Sequence, residues 1–82
     1  MIRVTVRYYQ SLRDAAGAAN EGVALDDDAK LGDLITRLAS ANELLARMRP
    51  SLLLAVNDEF AAPDTVLHEG DRVDIMPPAS GG

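Results

Sequence analysis

A chain of 82 residues is expected to form one domain near the lower end of the range that folds alone, and with no cysteine it has neither disulfides nor thiolate metal sites to supplement its core. Hydrophobic burial must hold the fold; 48% of the residues are apolar, enough to offset chain entropy at this size. A formal net charge of −5, with the basic residues dispersed, excludes a nucleic-acid binder, whose phosphates demand a basic stripe, and points to basic surfaces on protein partners. Tyr8, Tyr9 and Phe60 are the only aromatic residues and give little material for base stacking. Arg3 and Arg7 interrupt the first apolar segment, which argues against a signal peptide, and no run reaches the roughly 18–20 apolar residues that span a bilayer. A soluble cytoplasmic protein, with no membrane partner, is expected.

Ile2, Val4, Val6 and Tyr8 alternate with Arg3, Thr5, Arg7 and Tyr9, the period-two pattern of a half-buried strand. Gln10 to Ala16 reads as a short helical turn stopped by Gly17. Glu21 to Leu25 is a second strand with Val23 and Leu25 on one face, returning as a hairpin. Leu31, Leu34, Ile35, Leu38, Ala41 and Leu45 then fall three and four apart and predict one long amphipathic helix. Asp26, Asp27 and Asp28 suit the positive end of its dipole, with Asp28 the expected cap; Arg47 and Arg49 suit the other end, and Pro50 stops it. Leu52 to Val56 reads as a buried strand, Asn57-Asp58 as a turn and Glu59-Phe60-Ala61 as a brief return strand. Gly70 stands where a tight turn needs positive φ, and Val73 and Ile75 alternate with Arg72, Asp74 and Met76 in a last strand ended by Pro77-Pro78.

This order predicts an α+β fold, a mixed sheet packed on one long helix. It is the β-grasp, or ubiquitin-like, arrangement. The first and last strands become neighbours, residues 1–78 form the domain, and residues 79–82 form a flexible tail.

The chain offers no conventional active site. His68, its only histidine, sits beside a surface turn with no serine or carboxylate arranged as a triad. Three consecutive aspartates do not converge on a cation, so Asp26-Asp27-Asp28 reads as the start of a helix and no metal is expected. Gly17 and Gly22 have the spacing of a phosphate loop, but Val23-Ala24 stand where Lys and Ser or Thr are required. No cofactor is expected.

The C-terminus is different. Glycine has no Cβ, so Gly81-Gly82 can thread a channel only a backbone wide. Pro77-Pro78 keeps the start of the tail extended, and six residues at about 3.3 Å each reach roughly 20 Å. A terminal carboxylate is ionised at neutral pH and is a poor electrophile until something activates it.

Several segments carry a resemblance. The run Tyr8-Tyr9-Gln10-Ser11-Leu12-Arg13-Asp14-Ala15-Ala16-Gly17 resembles the opening of molybdopterin synthase small subunits, the MoaD group of sulfur carriers. Ala55-Val56-Asn57-Asp58-Glu59-Phe60, Leu67-His68-Glu69-Gly70-Asp71-Arg72-Val73 and Met76-Pro77-Pro78-Ala79-Ser80-Gly81-Gly82 are similar to its later motifs. The last is the most specific, because two prolines before a terminal double glycine rarely arise from composition. Lys30 departs from the pattern, since the family often caps its helix there with Thr.

The resemblance implies a sulfur carrier. An ATP-dependent E1-like enzyme adenylates Gly82, and a sulfur donor protein converts the acyl adenylate to a thiocarboxylate. The tail, with Ser80 and Gly81 inside the channel, enters the large subunit of a heterotetrameric synthase to build the molybdopterin dithiolene. Catalysis then belongs to the partners. Tyr9, Phe60 and Met76, turned away from the core, match the family's apolar contact surface, and Arg13 resembles a polar contact. Carriers for the thiamine thiazole or for thiolated tRNA share fold and tail, and a ubiquitin-like modifier joined to lysines is the alternative of another class.

Overall fold

Alternation in the first segment produces strand β1 (Ile2–Tyr8), with Val4, Val6 and Tyr8 buried and Arg3, Thr5 and Arg7 exposed. The computed structural model describes residues 1–78; residues 79–82, and with them the predicted tail positions Ser80, Gly81 and Gly82, lie outside the described residues. Gln10, at φ 54°, turns the chain into helix α1 (Ser11–Ala16), which buries Leu12. Gly17 closes it at φ 74°, its N–H donating to the carbonyls of Arg13 and Asp14, a left-handed cap that glycine adopts without strain. Strand β2 (Asn20–Leu25) returns antiparallel to β1, with Val23 opposite Val4 and Leu25 opposite Ile2.

The predicted apolar stripe is present, but two helices carry it. Helix α2 (Leu31–Ala41) buries Leu31, Leu34 and Ile35, and helix α3 (Glu43–Met48) buries Leu45. Asn42 interrupts them in extended conformation (φ −139°, ψ 102°), and its side-chain oxygen accepts from the Leu45 N–H at 3.1 Å. An asparagine that caps the next turn gains a hydrogen bond by leaving the helix, which explains the break. The expected cap, Asp28, instead occupies a turn at φ 68°. Lys30 holds the cap position, where an ammonium accepts nothing; Asp33 reaches back to take the Lys30 backbone N–H at 2.9 Å. Arg47 lies in the last turn of α3 and Arg49 at its C-cap, as expected. The Arg49 guanidinium reaches to Thr36 Oγ1 at 2.8 Å and to the Gly32 carbonyl at 3.3 Å, tying the 3-10 turn Arg49–Ser51 to α2.

Strands β3 (Leu53–Val56), β4 (Glu59–Phe60) and β5 (Arg72–Met76) complete a five-stranded sheet of order β2-β1-β5-β3-β4. Asn57 and Asp58 both have positive φ (51° and 72°), the twist-matched turn that a tight hairpin prefers, and Gly70 has φ 83° as its turn requires. The central pair, β1 and β5, is parallel and the others antiparallel, so the sheet is mixed, as expected for a β-grasp fold. Leu54 lies opposite Ile75 and Val56 opposite Val73, facing the helices; Leu53 lies opposite Met76 and Ala55 opposite Asp74, facing away. The reading of Leu52 to Val56 as wholly buried fails at Leu53, which is 42% exposed because only one face of the sheet is covered.

Candidate functional site

The uncovered face begins where the chain leaves the sheet. Tyr9 follows Tyr8 by one residue and points the other way, while its N–H donates to the Ile75 carbonyl at 3.3 Å and extends the β1–β5 ladder. Met76 lies beside it at the end of β5, opposite Leu53. Tyr9, Gln10, Leu53, Met76 and Pro77 line a shallow depression of about 260 Å³. Phe60, 78% exposed, lies on the same face opposite Ala55, three strand spacings or about 14 Å from the β1 row. The structure therefore sets Tyr9 and Met76 in one depression and Phe60 apart from them, with Leu53 and Ala55 between. Arg13 lies exposed on α1, which packs against β1 and α3, and does not line the depression.

Leu53 belongs to this surface, although the unbroken run Leu52-Leu53-Leu54 hides its alternation. Asp74 is the larger surprise. It occupies the middle of the uncovered face yet is only 7% exposed, with its Oδ1 3.7 Å from the Nε of Arg7 and 3.7 Å from the Nε of Arg72. Neither distance is a hydrogen bond, and among the described residues this oxygen and the Arg72 Nε have no hydrogen-bond partner. Arg72 also bonds Asp58, which, with the charge of that carboxylate, holds its guanidinium more firmly protonated than usual. Arg7 sits over the Tyr9 ring, 5.7 Å from its centroid, within range of a cation–π contact. His68 is exposed, with its Nδ1 3.9 Å from Asp71 Oδ2.

The pattern of strands around α2, with its last strand parallel to the first, recurs in known proteins. Residues 6–82 match the ThiS family. The chain belongs to the ThiS family. The match runs through the Pro77-Pro78-Ala79-Ser80-Gly81-Gly82 ending. This ThiS-family chain is 31% identical over 83 residues to the molybdopterin synthase sulfur carrier subunit of Chlamydomonas reinhardtii, covering 99% of this chain and 100% of that protein. Among solved structures it is similar to SAMP1 of Haloferax volcanii, at 27% identity and a TM-score of 0.84 over 98% of this chain and 99% of that one. A chain in the complex of subunits 1 and 2 of the molybdopterin-converting factor of Helicobacter pylori shares the fold, at 23% identity and a TM-score of 0.71 over 99% and 100% of the two chains.

Proposed function

We propose that this protein is the sulfur-carrying small subunit of a molybdopterin synthase, with its cargo a thiocarboxylate on Gly82. The observation that carries the reading is the full-length relationship to a molybdopterin synthase sulfur carrier subunit. The fold supports it, because the parallel β1–β5 pair brings Pro77 out beside the apolar depression. The Gly82 carboxylate oxygen attacks the α-phosphorus of ATP on an adenylating enzyme, and pyrophosphate leaves. The terminal sulfur of a donor protein's persulfide then attacks the acyl carbon and AMP leaves; a thiol attacks the donor sulfur of the resulting acyl disulfide, which releases the thiocarboxylate and leaves a disulfide on the donor. Gly81 and Ser80 follow Gly82 into a channel of the large subunit, where the sulfur passes to the pterin precursor. The chain supplies the acyl carbon and the docking face through Tyr9, Met76, Phe60 and the polar Arg13; its partners supply bases and nucleotide.

A second reading, a modifier joined to lysines, is favoured by the likeness to a small archaeal modifier protein. One experiment separates them. With adenylating enzyme, ATP and sulfur donor, intact-mass spectrometry is expected to show one oxygen replaced by sulfur at Gly82. Adding a residue after Gly82 moves the reacting carbon by about 3.5 Å, where about 1 Å of misplacement already costs roughly a hundredfold in rate. The extended chain is expected to bind the large subunit and yet yield no dithiolene. Unchanged mass in the full mixture, or isopeptide conjugates in place of thiocarboxylate, would sink the carrier reading.

A further inference from the structure

Net charge points this chain toward basic partners, but its charges are not evenly spread. The strand positions facing away from the helices carry Arg3, Arg7 and Arg72 against one acid, Asp74, in a chain of formal charge −5. Asp74 lies beneath the surface, whereas the Arg7 side chain is 44% exposed. Arg72 is committed to Asp58. Among the described residues, the Arg7 guanidinium has the Asp74 carboxylate as its one ion-pair partner and lies over the Tyr9 ring, with no hydrogen bond to either. A planar group with five donors is thus presented beside Tyr9, next to the depression that Tyr9, Leu53 and Met76 line. A purely apolar partner laid over this face would strip water from that cation and return nothing. An acidic side chain returns two parallel N–H···O bonds to the same fork.

Resting on the small-subunit reading above, we propose that the large subunit sets a carboxylate on Arg7, and that this ion pair, at the edge of the apolar depression lined by Tyr9, Leu53 and Met76, selects the cognate partner. Asp74 is a positioning residue. Its carboxylate steadies the Arg7 Nε from below and leaves the outer nitrogens for the partner.

The test is calorimetric titration with the purified large subunit of the same organism, at low and high NaCl. Arg7→Leu is expected to weaken binding at least about tenfold at low salt and to flatten its salt dependence, while Arg7→Lys recovers part of the loss. Arg7→Leu leaves Asp74 with a single cation, so the double variant Arg7→Leu/Asp74→Ala is measured beside it, with a thermal melt of each. The double variant is expected to fold and to bind as weakly. If wild type binds and the folded leucine variants bind as tightly or more tightly, the contact is plainly apolar and the proposal fails alone. If wild type does not bind the large subunit, the small-subunit reading fails with it.

Discussion

Tyr8 closes the inward row of β1 and donates its hydroxyl to Glu21 on the edge strand β2. Burial raises its phenol pKa first, and the Glu21 hydrogen bond adds to the shift. Unfolded tyrosine ionises near pH 10, while the folded phenol keeps its proton to higher pH. The stabilisation is therefore complete below about pH 10 and lost as pH rises toward the folded value. The thermal midpoint is expected to fall as pH rises above about 10, and to fall less steeply in Tyr8→Phe, which starts lower for want of the Glu21 bond. An equal slope in both would assign the alkaline loss to other groups. Which of Tyr8 and Tyr9 faces the core was legible, because a period of two is a local property. The Glu21 partner was not, since it depends on the register that sets Val6 opposite Glu21. Asp74 was hidden for the same reason: Arg7 and Arg72 converge on it from strands far apart in sequence.

At the scale of elements, periodicity located β1, β5 and the apolar stripe of the helices, and a short apolar run and turn residues located β3 and β4, but nothing local marked the break between the helices. Leu38 and Leu45 keep their spacing across Asn42, so the stripe survives an interruption of the backbone that carries it, while Ala41, counted in the stripe, ends exposed. Gly32 stands in the first turn of α2. A Cβ there would meet the Pro63 carbonyl oxygen at 3.2 Å, and the Gly32 N–H donates to that oxygen at 2.8 Å, so the helix start is pressed against a loop invisible from local sequence. The cap offers a direct test. Lys30 has the extended conformation of a cap residue (φ −99°, ψ 160°) but a side chain that cannot accept a bond. Lys30→Thr is expected to stabilise the fold by about 0.5–1 kcal/mol, raising the melting midpoint by roughly 3–6 °C. No gain would mean that the Thr65, Pro63 and Lys30 carbonyls, which accept from the Leu31, Gly32 and Asp33 N–H groups, already satisfy the first turn.

At the scale of the whole molecule, one covered and one bare sheet face divide the residues into those that fold the chain and those free to bind. Ile75 and Met76 are adjacent, yet Ile75 is fully buried under the helices and Met76 lies on the bare face beside Tyr9. Phe60, largely exposed on β4, contributes little to the core, and its replacement by Asp is expected to change stability by no more than about 0.5 kcal/mol. Docked against the large subunit, the same ring would lose its water. Burying a side chain of this size is worth about 1.5–3 kcal/mol, so Phe60→Asp is expected to weaken that complex at least about tenfold. Tyr9→Asp and Met76→Asp should weaken it similarly, with a modest loss of stability because both are half-buried. Ile75→Asp, which forces an unpaired charge into the core, should instead abolish cooperative unfolding. Titration of the large subunit with each folded variant, alongside its thermal melt, separates the two classes. Undiminished affinity in all three bare-face variants would mean that the apolar face beside the tail is not where the partner sits, and the tail would then have to be presented from another surface.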